Sequence, residues 1–341
     1  MNLRHIARDA TGRETVATLR QVPLHPAGAD NRLVVLTKDE LSAATTLAVK
    51  RDKGMGDLLM LTPVFRKLRR LYPQLQITLY CCDWATCLFD HNPDVTAKPI
   101  DLYEDEADDH DLQIDLVCFA ERSPVADCLD RTSIFAKAFD LALEDGFPLY
   151  YVTDEEAAAA DAALVGCPRP WVAVAPIGNE GRRMWCDPGL GDLTRGLLGH
   201  GCTVFPVNQT ADLQNAPYFQ HNRVRPQWAV PLRRLAALMA RMDAVVSVDS
   251  GVYHLAAAAA GRERQPLLAV LMGSLAPHLR LSWYDPSRTV EVRAAQECPH
   301  WPCYYHTPYC IREAGERYQC MSGVSGKAAL AAVVAGLGME H

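Results

Sequence analysis

The chain has 341 residues, 49% of them apolar, which is enough for two ordinary domains or one large one and too hydrophobic for a disordered polypeptide. Against 34 basic side chains stand 41 acidic ones, a formal charge of −7, so nothing draws the chain generally to nucleic acid or anionic lipid, and an anionic ligand has to be held locally. The longest apolar stretches, 255–261 and 328–339, fall short of the ~20 residues of a membrane span. Arg4, Arg8, Asp9 and Arg13 interrupt the stretch where a secretory leader needs continuous apolar residues, so a cytoplasmic protein with at most peripheral membrane contact is expected.

Residues 1–44 contain Pro23, Pro26 and Gly28, lack sustained periodicity and hold one apolar run at 33–36, so they read as an irregular extension with a single strand. Short apolar runs then alternate with amphipathic stretches, the pattern of a parallel sheet with helical crossovers. Strand 46–50, helix 57–71 and strand 76–81 make one βαβ unit. In that helix Leu58, Leu61, Phe65, Leu68 and Leu71 recur every three or four residues, while Arg66, Lys67, Arg69 and Arg70 form its solvated face and end. The acidic stretch 101–115, with Asp105, Asp108, Asp109 and Asp111, reads as an exposed loop rather than a metal-binding Asp-x-Asp site, and an apolar run follows at 114–120.

A helix is expected over 153–165 and a hinge at 168–170. A second series follows, with strands at 171–175, 203–206, 244–248 and 267–271 and helices at 190–198, 232–241 and 252–260. The fold class is therefore α/β with two facing Rossmann-like lobes. The expected division is an extension 1–44, an N-terminal lobe 45–160 and a C-terminal lobe 161–341.

Two strand-to-helix junctions carry binding chemistry. Gly54-Met55-Gly56-Asp57 puts glycines where the backbone must turn tightly, at a helix start whose free N–H groups favour an anion or a polar sugar. Leu59 stands where a dinucleotide fingerprint needs its third glycine. Asp57 is placed to cap the helix or to act as a general base, and spacing alone favours the cap. In Asp249-Ser250-Gly251-Val252-Tyr253-His254, Asp249 ends a buried strand, Ser250 caps the next helix, and Gly251 lets a diphosphate approach the free N–H groups. His254, one turn in, can donate to the same ligand. A third element is the loop Pro176-Ile177-Gly178-Asn179-Glu180-Gly181-Arg182-Arg183-Met184-Trp185, whose arginines suit a phosphate clamp or, equally, a solvated surface.

Lys53-Gly54-Met55-Gly56-Asp57-Leu58-Leu59-Met60-Leu61-Thr62-Pro63, followed by Leu68-Arg69-Arg70-Leu71-Tyr72-Pro73, resembles the N-terminal signature of glycosyltransferase family 9, the ADP-heptose heptosyltransferases. Asp249-Ser250-Gly251 with His254 resembles its second signature, and Met272-Gly273-Ser274-Leu275-Ala276-Pro277 the loop that follows; the similarity runs from about residue 46 to 335.

The resemblance implies a GT-B fold, with acceptor on the N-terminal lobe and nucleotide sugar on the C-terminal lobe. It makes Asp57 the catalytic base of an inverting transfer, reversing the weight given to the cap. It assigns Gly54, Met55, Gly56, Trp185, Asp249, Ser250, Gly251, His254 and Ser274 to substrate binding, and Arg183 to the leaving diphosphate in place of a lysine usual in relatives. Cys186 likewise replaces their proline. The implied partners are a nucleoside-diphosphate sugar, with ADP-heptose foremost, and a glycan, lipid-linked or protein acceptor such as lipopolysaccharide core. No nucleic acid is implied, an oligomer is possible, and no cofactor is required for transfer.

Of 12 cysteines, Cys81, Cys82, Cys87, Cys118, Cys128, Cys167, Cys186 and Cys202 are scattered and read as core or surface filler. Cys298-x4-Cys303-x6-Cys310-x9-Cys320 is a cluster without the spacing of common zinc ribbons. A structural iron or zinc is the expectation, with His300 and His306 as further donors; two disulfides or four free thiols are the alternatives. Similar clusters ligate iron in the autotransporter heptosyltransferase branch of the family, with different spacing. Competing functions are a sugar-nucleotide epimerase or hydrolase of GT-B architecture and a non-catalytic, metal-stabilised binding protein.

Overall fold

The computed structural model describes residues 34–207, 211–227, 230–295, 298–303, 310, 312 and 318–339, and the backbone of residues 4–8 and 14–18. β1 (Arg4–Arg8) and β2 (Glu14–Thr18) pair as an antiparallel ribbon. Residues 4–18 thus hold two strands within the stretch where the sequence suggested one. Residues 34–37 have no regular structure; the Leu36 amide bonds the Ala138 carbonyl at 2.9 Å instead of joining a sheet. α1 (Lys38–Ala43) begins with a capping box in which Thr37 and Glu40 satisfy each other's backbone amides.

β3 (Thr46–Lys50) leads through α2 (Met55–Leu71) to β4 (Gln76–Cys81), the right pieces for a parallel crossover. β5 (Thr96–Pro99) and β6 (Leu112–Asp115) complete a parallel sheet of order β5-β4-β3-β6. Pro63 inside α2 cannot donate to the Leu59 carbonyl. The Thr62 hydroxyl does so at 2.6 Å and accepts the Leu149 amide at 2.8 Å, which ties the helix to the chain leaving this lobe. The acidic stretch forms short helical turns over 100–109 with Tyr103 buried, rather than an open loop. The apolar run at 114–120 is strand only to Asp115: Leu116 bonds back to Lys50 at 2.8 Å, and Phe119–Arg122 is a single helical turn. α3 (Arg131–Lys137), capped by Asp130, packs on α2.

α4 (Asp154–Leu164) starts with a second capping box, Thr153 with Glu156. The second sheet contains β7 (Trp171–Ala175), β8 (Thr203–Pro206), β9 (Ala244–Val248), β10 (Leu267–Leu271) and β11 (Thr289–Val292), all parallel, in the order β11-β10-β9-β7-β8. Its helices are α5 (Gly189–Gly199), α6 (Leu232–Met239), α7 (Gly251–Ala260) and α8 (Gly326–Leu337). β9 and β10 are buried along their whole length, as runs of Val, Leu and Ala in central parallel strands should be. One apolar core fills the space between the sheets and includes α2 and α7, which pack against each other; a second lies on the far side of the larger sheet under α5 and α8. Among the described residues no helix is long and apolar enough to cross a membrane.

Candidate active site at the meeting of two helix starts

Both sheets point the carboxyl ends of their central strands at the contact between α2 and α7, the edge where open α/β sheets bind ligands. Gly54 starts α2 with φ +97°, a left-handed conformation that suits glycine, and no side chain caps the helix. Asp57 is therefore not the cap that its spacing suggested. It sits in the first helical turn and its carboxylate turns away from the free amides, toward two guanidinium groups. Arg51, the residue after β3 and 7% exposed, donates to Asp57 Oδ2 and, at 3.0 Å, to the Leu116 carbonyl. Arg131, the first residue of α3 and 6% exposed, donates to the same Oδ2 at 2.8 Å and to Glu121 Oε1 at 2.7 Å.

Burial by itself would raise the Asp57 pKa. Arg131, Arg51 and, from the other lobe, Arg280 outweigh it and hold the carboxyl well below the usual range. Glu121 is balanced in the same way, burial opposed mainly by Arg131, and is also lowered.

Across the contact, Asp249 follows β9 and is 6% exposed. Tyr253 donates to its Oδ1 at 3.3 Å; Arg183 Nε lies 3.5 Å from Oδ2 and Arg280 Nε 3.9 Å from Oδ1. Here too burial works against ionisation, and Arg183 and Arg280 overcome it and lower the pKa. Ser250 is the N-cap of α7, as read: its hydroxyl accepts from Val252 at 3.4 Å and shares a bond of 3.1 Å with Ser247. His254 is 2% exposed, and its Nδ1 bonds the Tyr284 hydroxyl. Burial pulls its pKa down to about 3, so the imidazole is neutral at ordinary pH.

The two helix starts touch through glycine. A Cβ built on Gly56 would lie 2.8 Å from His254 Cδ2, and one on Gly251 would lie 2.6 Å from Met55 Cε and 3.0 Å from the Gly56 nitrogen. Asp57 and Arg131 are thus within electrostatic reach of His254, Arg183 and Asp249. The site groups four guanidiniums, Arg51, Arg131, Arg183 and Arg280, with three carboxylates, Asp57, Glu121 and Asp249, a surplus of positive charge suited to an anion.

The loop after β7 folds back on itself: Gly178 N donates to Arg183 O at 2.8 Å and Trp185 N to Pro176 O at 2.9 Å. Arg183 is thereby aimed at Asp249 instead of at solvent. Trp185 is 1% exposed, with its indole donating to the Val324 carbonyl at 3.0 Å, so it anchors this loop from within the core and presents no face to a ligand. Arg183, Asp249, Gly273 and Ser274 line a recess too constricted for a water molecule. Arg51, Glu121, Arg131, Arg280 and Tyr284 were not singled out from the sequence. Only Arg51, standing at a strand's carboxyl end, and Asp130-Arg131, which reads as a cap and first helical residue, carried a local signal.

The cysteine cluster adjoins this recess through a bond of 3.0 Å from the Cys303 amide to the Ser274 carbonyl. Cys298, Cys303, Cys310 and Cys320 are free thiols. Burial, then the neighbouring thiols, raise Cys303, and Cys320 is pushed up to about 11. Among the described residues no group of three or more His, Cys, Asp or Glu side chains is placed to hold a metal ion. The four thiols lie within electrostatic reach of one another, Cys303 of Cys298 and Cys310, and Cys320 of all three. His306 lies outside the described residues.

Facing Rossmann-like lobes that meet at two anion-favouring helix starts are the GT-B arrangement. The model of glycosyltransferase family 9 (heptosyltransferase) matches residues 128–269, a stretch that contains Asp249-Ser250-Gly251 and His254. Among solved structures, a family 9 glycosyltransferase from Veillonella parvula has 14% identity and a TM-score of 0.63, covering 86% of this chain and 97% of its own. The E. coli ADP-heptose LPS heptosyltransferase II has 18% identity and a TM-score of 0.63, covering 86% of this chain and 98% of its own. TibC, the iron-containing dodecameric glycosyltransferase of enterotoxigenic E. coli, has 16% identity and a TM-score of 0.63, covering 96% of this chain and 85% of its own. TibC has also been solved in complex with ADP-D-β-D-heptose. No curated protein sequence matches the chain.

Proposed function

We propose that this chain moves a sugar, foremost heptose from ADP-heptose, to an acceptor hydroxyl with inversion at the anomeric carbon. The observation that carries the reading is the juxtaposition of Asp57, at the start of α2, with the start of α7 and its Arg183–Asp249–Arg280 cluster. In this scheme the diphosphate lies against the Ser250 and Gly251 amides, where the partial positive charge of the helix end adds to that of Arg183 and Arg280. These donors are fixed before reaction and face the oxygen on which negative charge builds, the largest single contribution expected to the rate. The neutral imidazole of His254, stacked at the lobe contact, excludes water there.

Asp57 receives the acceptor proton. Paired with two guanidiniums it is a weak base, so proton transfer comes late, when bond formation to an oxocarbenium-like centre has made the hydroxyl acidic. Because the recess holds no water-sized space, a donor has to move Arg183 or part the lobes as it enters. The twelve free cysteines fit a reducing compartment, and with it the cytoplasm. Self-association, as in the dodecameric TibC, is checked by sedimentation.

The test is incubation with ADP-heptose, with and without lipid- or peptide-linked glycan acceptors, following ADP and sugar by mass spectrometry. Acceptor-dependent ADP release supports transfer. Equal turnover without acceptor points to the epimerase or hydrolase reading, and no turnover with any nucleoside-diphosphate sugar refutes both.

A further inference from the structure

The neighbouring residues Trp283 and Tyr284 connect the halves of the site. Tyr284 is buried and its hydroxyl bonds His254, on the donor side. Trp283 reaches the other way: its indole N–H donates at 2.7 Å to Asp130 Oδ1 in the N-terminal lobe. That same oxygen caps α3 by accepting the Ser133 amide at 3.0 Å. The next residue is Arg131, whose guanidinium holds Asp57. The indole is fixed from both sides. A Cβ on Gly146 would come within 2.5 Å of its ring, and its carbonyl accepts from Arg262, which also pairs with Asp145.

We propose that Trp283 is a positioning residue: its N–H bond to Asp130 sets the start of α3, and so the placement of Arg131 and Asp57, against the donor-binding lobe. The inference rests on the roles given above to Asp57 and the α7 start. A hydrogen bond to a carboxylate is among the stronger ones, and this one exists only while the two lobes are together. Lobe closure is thereby coupled to alignment of the base, where displacements near 1 Å are enough to cost roughly a hundredfold in rate.

Trp283→Phe keeps the ring against Gly146 and removes the donor. In the ligand-free protein, amide exchange in residues 131–137 should become about tenfold faster than in the parent, while exchange in 244–260 stays unchanged. With ADP-heptose, kcat should fall about tenfold and the donor KM should stay within twofold, a split that general loosening of the fold would not give. Asp130→Asn, which keeps both the cap and the acceptor oxygen, should stay near the parent in both measurements. Asp130→Ser, which caps the helix but is too short to reach the indole, should behave like Trp283→Phe. Unchanged exchange at 131–137 in Trp283→Phe overturns the proposal, as does an effect confined to KM. A parent protein that releases no ADP refutes the donor assignment instead, and the exchange measurement then decides the role of Trp283 alone.

Discussion

A single added methyl group probes the lobe contact directly. Glycine in a helix costs about 1 kcal/mol relative to alanine, so Gly251→Ala should stabilise α7 if the site were open. The new Cβ would instead lie 2.6 Å from Met55 Cε, 2.7 Å from Met55 Cβ and 3.0 Å from the Gly56 nitrogen. The methyl of Met55 can swing aside, but its Cβ and the Gly56 amide belong to the first turn of α2 and cannot. Overpacking of this kind costs about 1–3 kcal/mol, so the net effect is a loss of roughly 0–2 kcal/mol. Gly56→Ala meets His254 Cδ2 at 2.8 Å, on a ring pinned by its bond to Tyr284. Gly199, at the end of α5, has no atom within 4 Å of its built Cβ and supplies the control, which should gain up to about 1 kcal/mol. Thermal melts of the three variants at neutral pH should place Gly199→Ala above the parent and both contact variants below the control by about 2 kcal/mol, a few degrees in Tm. If Gly251→Ala melts as high as Gly199→Ala, the lobes do not meet at these helix starts.

Arg183→Ala should weaken ADP binding about tenfold or more by calorimetry, with Arg183→Lys recovering part of it, because lysine keeps the charge but not the planar fork. Arg233 of α6 pairs with Glu156 and donates to the carbonyls of Cys87, Asp90 and Tyr151, so it joins the two lobes and the chain between them; Arg233→Met should cost roughly 2–4 kcal/mol in unfolding experiments. His254 has its folded pKa depressed below the unfolded value near 6.5. Its contribution to stability is complete above that pH and is lost as pH falls toward about 3, where the unfolded chain binds the proton and the folded one does not. His254→Gln should therefore flatten the decline of Tm between pH 6.5 and 3, and an undiminished decline contradicts the burial argument.

The sequence made the central strands legible because burial on both faces leaves a simple signature. The runs at 46–50, 76–81, 171–175, 203–206, 244–248 and 267–271 each became a strand with those bounds. Edge strands carry no such signal: Thr-Ala-Lys-Pro at 96–99 and Thr-Val-Glu-Val at 289–292 mix polar and apolar residues on half-exposed positions. The ribbon β1–β2 was hidden in the same way, being short and polar. Ser250 was readable as a cap because capping is local chemistry. Spacing alone favoured the same role for Asp57 because the groups that compete for its carboxylate, Arg51 and Arg131, are brought to it by the ends of β3 and α3. Trp185 sits in a binding-motif position, yet its size places it in the core, which only the packing reveals. The cysteine spacing marked Cys298, Cys303, Cys310 and Cys320 as a cluster, and the fold does bring these four thiols near one another.

The measurement that tests the account most directly is the rate of sugar transfer from ADP-heptose by Asp57→Asn, made beside its affinity for ADP. Asparagine keeps the shape and removes the proton acceptor, and general base catalysis contributes about 10²–10⁴-fold. Transfer should fall by at least a hundredfold while ADP binding, proposed above for the other lobe, stays within threefold of the parent. Transfer at the parental rate would show that this carboxylate does not receive the acceptor proton.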